Sequence, residues 1–436
     1  MRIVLSARGS RGDVRPMVSL AAQLQTRGHS VTMCLPSSLE ALGRDEGLET
    51  RLYEEDSFDV MHSFEDGWRA AKQALQWFSG RLDHQMQVLT ETCRKADALV
   101  STVNELMAPS AAEYHGLPYF RLAYTPVLAG SQPPPLVPIQ GMPGPVNLAM
   151  WRMLNKSIDI LFRGKVNDAR RTFGLPDIRD IATYLAGSSH TLHAVSPALV
   201  PSDPAWKFDH SFVGYCFGGD QGPLPDEVED FLCKGPPPIY LGFGSVALRD
   251  PETFADMALQ AAKRAGCRII LSKGWTGLGS HLNHVPDWAL VVDDLPHANL
   301  FPRVAAAAHH GGSGTVHNAA RAGIAQFVMP QIADQYYWGD RIRRLGLGPA
   351  PVSPNKLDAQ QLSRIFGRLL SPGFSIAARR LATRLRAEDG TKAAADHIEQ
   401  VISTGDVLAK RSSQPFRWRS RANLLSSSSL SSSKVK

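Results

Sequence analysis

The 436 residues predict an α/β fold made of two units, each a parallel sheet covered by helices, that face each other across a cleft. Three observations point there. Short apolar runs alternate with longer helical stretches along most of the chain. The alternation pauses at a Gly/Pro/acid-rich segment between Phe217 and Pro238 and then restarts. One strand-to-helix junction, His309-His310-Gly311-Gly312-Ser313-Gly314-Thr315, has the glycine content of an anion-binding turn.

In order along the first half, residues 3–6 read as a strand, 17–26 as a helix and 31–35 as a second strand. Ser37 with Glu40 predicts a capping box opening the next helix. A long, mostly helical stretch follows at 64–96, then strands at 98–102 and 119–123. Gln132-Pro133-Pro134-Pro135 onward to Pro145 reads as a proline-rich surface loop, 148–173 as helix and 191–195 as a strand. The second half repeats the pattern, with strands at 239–243, 268–271, 289–292, 304–308 and 326–329 and helices at 252–265 and 315–321. The expected division is a first unit over 1–216, a linker over 217–238, a second unit over 239–405 and a tail over 406–436.

Composition narrows the class. Hydrophobic content of 43% and charge of 20% are those of a globular protein. No apolar run approaches membrane-spanning length, and the chain enters a strand at once rather than a signal peptide. Five scattered cysteines without ligand spacing fit a reducing cytoplasm, and no metal site is expected. The net charge of +6 belongs to the tail, where seven Lys/Arg residues and no acid follow Ala409. Nucleic-acid binding is therefore not expected of the body. The Ser-rich tail lacks the apolar content to fold alone. Its basic residues with Phe416 and Trp418 suit either a solvated tail or peripheral contact with an anionic membrane.

The chemistry gathers in loops that follow strands, where ligands of such sheets bind. After the first strand comes Gly9-Ser10-Arg11-Gly12-Asp13-Val14-Arg15-Pro16. After the first strand of the second half comes Gly242-Phe243-Gly244-Ser245, and after its last comes Pro330-Gln331-Ile332-Ala333-Asp334-Gln335. Together with the glycine-rich turn they supply phosphate donors, one carboxylate on the facing wall and an acid–amide pair suited to sugar hydroxyls. Asp13 has two roles side by side, a base or a cap for the helix beginning near Pro16; Asp334 and Gln335 likewise suit an N-cap. Trp275 reads as packing, and His115 and His193 as core or surface residues.

His309 to Thr315, followed by Ala322-Gly323, Pro330, Asp334-Gln335 and Trp338, resembles the C-terminal signature of GT-B nucleotide-sugar glycosyltransferases of family 1. Gly9 to Pro16 resembles the opening of its antibiotic and sterol branch, and Phe301-Pro302-Arg303-Val304-Ala305-Ala306 also fits. The resemblance spans roughly residues 1–405 and implies two Rossmann-like domains facing a cleft. It implies Asp13 as the catalytic base, with Ser10 and Gly12 near the donor. Ser245, His309, Gly312, Gly314 and Thr315 would contact phosphate, and Asp334 and Gln335 the donor sugar. The stacking Trp of plant relatives is missing near Pro296-His297, so the backbone at Leu295 is expected to meet the nucleoside; His317 stands where those relatives place a ribose-binding Glu. These departures leave UDP and dTDP both open. The expected activity is inverting transfer of a hexose from a nucleoside diphosphate sugar, a co-substrate rather than a cofactor, to a hydroxyl of a lipophilic acceptor. The acceptor site is expected between Asp13, the 64–96 helix and the proline-rich loop. A GT-B-fold nucleotide-sugar epimerase and a non-catalytic nucleotide-sugar-binding subunit are the alternatives.

Overall fold

A computed structural model describes residues 1–53, 80–218 and 222–404. The expected tail lies outside the described residues, as does the first part of the 64–96 stretch, residues 64–79; its described part holds a helix over Leu82–Thr92 and a 3-10 turn over Cys93–Lys95.

Seven strands form the first sheet: β1 (Arg2–Ser6), β2 (Ser30–Pro36), β3 (Glu49–Tyr53), β4 (Ala98–Thr102), β5 (Tyr119–Ala123), β6 (His190–His193) and β7 (His210–Phe212). Their order is β3-β2-β1-β4-β5-β6-β7. The second sheet has β8 (Ile239–Gly242), β9 (Ile269–Ser272), β10 (Ala289–Val292), β11 (Ala306–His309) and β12 (Ala325–Val328), in the order β10-β9-β8-β11-β12. Every pairing is parallel. The central strands are buried on both faces, which is why they read as unbroken apolar runs. The edge strands β3 and β7 carry exposed or half-exposed residues, so hydrophobic pattern did not reveal them.

In each sheet the strand order reverses once, between β1 and β4 and between β8 and β11. Loops leaving neighbouring strands diverge at such a point and open a crevice. The two crevices face one another.

Several expectations change. The first helix begins at Arg11, not 17, and the later helix at Gly144, not 148, because Pro145 is accommodated in its first turn. Ser37 is not a capping residue: it opens a 3-10 turn and donates its hydroxyl to the Tyr53 carbonyl at 2.8 Å. Within the expected linker, Asp226–Cys233 is a helix whose Val228, Phe231 and Leu232 pack in the core of the second unit. The last helix, Gly390–Thr404, leaves the second unit altogether. Its Ala394, Ala395, Ile398 and Val401 close the core formed by β1 and the Arg11–Thr26 helix, and Arg27 pairs with Asp396 and Glu399 at 2.8 and 2.7 Å. The chain thus crosses between the units near Gly214 and again at Gly390. The crossings touch, since a Cβ on Gly390 would lie 2.4 Å from the Gly214 carbonyl oxygen.

Behind the cleft the units are tied by hydrogen bonds. Ser313 Oγ donates to the Tyr124 carbonyl at 3.0 Å, and Arg341 Nε to the Leu199 carbonyl at 2.8 Å.

Candidate active site

The two crevices merge into one cavity of about 1450 Å³ between the units. It is lined by the loops after β1, β4, β8, β11 and β12 and by one long helix of the first unit. Of the residues expected to act, Ser10, Gly12, Asp13, Ser245, Leu295, Gly312, Gly314, Thr315, Asp334 and Gln335 all reach its wall. His309 does not.

Asp13 occupies the third position of the Arg11–Thr26 helix, and Ser10 is the N-cap. The backbone N–H and the hydroxyl of Ser10 both donate to Asp13 Oδ2, at 2.8 and 2.9 Å. Capping and catalysis, set apart in the sequence, are therefore compatible: the capping box uses Oδ2 and fixes the carboxylate at the wall, while Oδ1 takes no part in it. Burial raises the Asp13 pKa, and the bonds from Ser10 oppose that rise. Gly9, at φ +126, has to be glycine, because a Cβ there would meet Asp13 Oδ2 at 2.4 Å.

The glycine-rich turn corrects the histidine assignment. His309 is the last residue of β11 and fully buried; its Nε2 faces Gln326 Oε1 at 3.0 Å and its Nδ1 accepts from the Gly311 N–H at 3.1 Å. Both ring nitrogens are occupied, so His309 braces the turn from below instead of contacting phosphate. His310, the first residue beyond the strand, lines the cavity, and its buried Nδ1 has no protein partner among the described residues. Burial lowers its pKa to about 4, so it is a neutral donor at pH 7. The ring lies against Gly312, where a Cβ would stand 2.5 Å from Nε2. The helix Ser313–Ala322 starts at Gly312 with no side-chain cap, so the first-turn N–H groups are open to a ligand at the positive end of the helix.

His317 lies one turn further along and is fully buried. Its Nδ1 bonds the Ser313 carbonyl at 2.7 Å, its Nε2 accepts from the Ser196 N–H at 3.2 Å, and its ring stacks on Tyr215. It is a structural tie between the units, with no access to a ribose.

On the opposite rim, Ala333 at φ +49 is a strained residue immediately before Asp334. Trp338, fully buried one turn later, donates Nε1–H to Asp334 Oδ2 at 3.1 Å. The Asp334 pKa is pushed up to about 7, first by burial and then by the charge of Asp13. Both carboxylates line the cavity, Asp13 from the first unit and Asp334 from the second. Gln335 is turned inward: its Oε1 accepts from the N–H groups of Gln331 and Ile332 at 2.8 and 3.1 Å and so shapes the loop. At the mouth, Arg11 and Asp294 join the two units by an ion pair at 3.2 Å.

The first unit adds an apolar lobe. The helix Gly144–Thr172 presents Trp151, Leu154, Asn155, Ile158 and Phe162 along one face, opposite Ile181 and Leu185 of a second helix. The proline-rich loop contributes Pro135 and Leu136, a smaller share of the wall than expected. Arg121 of β5 is a buried cation in this lobe that the sequence did not single out.

Comparison with known proteins takes the site to a class. The structures of the glycotransferase of kitacinnamycin (TM-score 0.72, 20% identity) and of CalG4, the calicheamicin glycosyltransferase (TM-score 0.68, 19% identity), each match 92% of this chain and 98% of their own. The fold is therefore GT-B. Residues 3–131 match the glycosyltransferase family 28 N-terminal domain, and residues 258–402 the erythromycin biosynthesis protein CIII-like, C-terminal domain. Glycosyltransferase GtfE of Amycolatopsis orientalis is 34% identical over 403 residues, 91% of this chain and 96% of the relative. Vancomycin aglycone glucosyltransferase of the same organism is 31% identical over 92% of this chain and 98% of its own. Sterol 3-beta-glucosyltransferase UGT80B1 of Arabidopsis thaliana is 30% identical over 98% of this chain and 72% of its own. The chain belongs to this family of antibiotic and sterol glycosyltransferases and is a glycosyltransferase. The epimerase and non-catalytic alternatives are not favoured.

Proposed function

We propose that the enzyme transfers a hexose from a UDP- or dTDP-sugar, with inversion, to a hydroxyl of a lipophilic acceptor such as a sterol, a polyketide or antibiotic aglycone, a carotenoid or a glycolipid. One observation carries this reading: a single cavity joins an apolar lobe to an open helix N-terminus, with Asp13 and Asp334 at the seam. The acceptor fills the lobe and presents its hydroxyl to Asp13. As that oxygen bonds the anomeric carbon, its proton passes to Asp13 and the bond to the diphosphate breaks. The leaving diphosphate takes the electron pair, and the first-turn N–H groups at 313–315, Ser245 and neutral His310 stabilise it, with no metal required.

Burial raises the Asp13 pKa, which makes its carboxylate a better proton acceptor than one of ordinary acidity. Two structural neighbours support a thymidine donor: VinC is described in complex with DTDP and the rhamnosyltransferase SpnG with thymidine diphosphate. The membrane contact proposed for the tail concerns residues outside those described; among the described ones, no helix is long and apolar enough to cross a membrane.

Incubation with UDP-glucose and dTDP-glucose and a panel of aglycones, read by mass spectrometry and by the anomeric coupling constant of the product, tests the proposal. A β-linked product from an α-linked donor is expected. Retention of configuration would remove the single-displacement role of Asp13, and sugar isomerisation without an acceptor would restore the epimerase.

A further inference from the structure

Arg121 is a charged feature of the apolar lobe that an apolar acceptor does not explain. It lies on β5 with its side chain buried, and it lines the cavity. Among the described residues its Nε has no hydrogen-bond partner and no carboxylate pairs with its guanidinium. The titratable groups that face it are Tyr119, Tyr184 and His193. Burial keeps both phenols protonated, and His193 is neutral, its pKa lowered to about 3. None supplies a negative charge.

Arg170 shows how the same unit treats a buried guanidinium that serves structure alone. It is equally inaccessible, yet it pairs with Glu113 at 2.9 Å, donates to Ser110 Oγ at 2.8 Å and to the Pro176 carbonyl at 2.8 Å. A guanidinium cannot shed its proton in a protein, so burying one unpaired is costly unless a ligand completes it.

We propose that Arg121 anchors a carboxylate on the acceptor, so that the preferred substrate is an amphiphile with a hydroxyl at one end and a carboxylate at the other. The inference rests on the lobe being the acceptor site. A carboxylate suits the guanidinium fork, two parallel N–H···O bonds with charges that cancel, whereas a phosphate dianion would leave net charge in an apolar lobe. Register gives the span. Arg121 stands opposite Ser101 of β4, and Ser101 opposite Ser6 of β1, the strand whose loop carries Asp13. Two strand spacings, about 10 Å, separate Arg121 from Ser6, and Asp13 lies seven residues beyond Ser6 in the helix that follows, so the two ends of the lobe are well apart. A hydroxyl and a carboxylate on the same small carbon skeleton are too close to satisfy both groups; a long chain or a fused ring system separates them enough.

The probes are 12-hydroxydodecanoate and its methyl ester, with binding measured by calorimetry and glucosyl transfer measured with UDP- and dTDP-glucose. Wild type should bind the acid about ten- to hundredfold tighter than the ester. Arg121→Met should abolish or invert that preference while nucleoside diphosphate affinity stays unchanged, and Arg121→Lys should retain part of it. Acid and ester binding within about threefold in wild type, or an acid preference that survives Arg121→Met, overturns the anchor. If neutral aglycones are then still glucosylated, the acceptor-lobe reading stands without it; if no lipophile binds and none is glucosylated, both fall. Should Arg121→Met fail to fold, the wild-type pair and Arg121→Lys decide the matter.

Discussion

The two walls of the cavity are built from different materials. The wall proposed to meet the donor, in the second unit, is mostly backbone: Gly244, Gly312 and Gly314 let the chain come close, and the first turn of the Ser313–Ala322 helix offers N–H groups. The wall proposed to meet the acceptor, in the first unit, is side chain: one helix face with a buried arginine. A diphosphate always looks the same, so the wall that meets it can be a fixed backbone motif. An acceptor is recognised by its shape, which only side chains can copy.

If the walls are this separable, substitutions should divide cleanly. The largest effect belongs to the seam: Asp13→Asn should lower turnover by about two to four decades with nucleotide affinity near normal, compared by steady-state kinetics and calorimetry. Turnover within a few-fold of wild type would return Asp13 to capping alone. Next, Ile158→Trp should fill the acceptor lobe and raise the KM for bulky acceptors by about tenfold or more without changing nucleoside diphosphate binding. Equal losses on both sides would show that the walls are mechanically coupled.

The two histidines sharpen the comparison within one wall. His310→Ala should weaken nucleoside diphosphate binding by about 1–3 kcal/mol with little change in Tm. His309→Ala should lower stability by a similar amount, because Gln326 and the Gly311 N–H lose a buried partner. Calorimetry and thermal unfolding on both variants separate the roles; the reverse pattern would restore His309 to the phosphate. Thr315→Val should have the smallest effect, a few-fold in nucleotide affinity, since its N–H remains in place.

Asp334 adds a pH signature. Its pKa is raised in the folded state, so the folded protein holds a proton that the unfolded chain releases near pH 4. Stability from this group is therefore full below about pH 4 and is lost as pH rises to about 7, with no further change above. Asp334→Asn should flatten the fall in Tm between pH 4 and 7 relative to wild type. An identical slope in the variant would mean that the carboxylate is solvated and does not face Asp13.

The same contrast explains what the sequence disclosed. Strand, glycine-rich turn and helix are local, and glycine chemistry announces itself, so the cavity wall of the second unit was readable together with the placing of Asp13 and Asp334 on the cavity. His309 and His310 differ by one residue, and only the end of β11 decides which reaches the cleft; the strand was expected to stop at 308 and continues through His309. The acceptor helix was readable as a helix, but not as a wall, because its cavity face depends on what stands opposite. Arg121 in Tyr-Phe-Arg-Leu-Ala gave no sign that its charge would be buried. The return of Gly390–Thr404 to the first unit was equally hidden, since an Ala-rich amphipathic helix does not say which core it will close.

That return has a mechanical side. A protein of two bodies joined by a single tether can slide, twist and part in any direction. Here two passages of chain meet at Gly214 and Gly390, with no room for a side chain between them, so the joint works as a pivot. Translation of one body past the other would break the contact, whereas rotation about it need not. Opening the cavity by such a rotation would also have to part the Ser313–Tyr124, Arg341–Leu199 and Arg11–Asp294 contacts, so the crossing sets the axis while these bonds set the resistance.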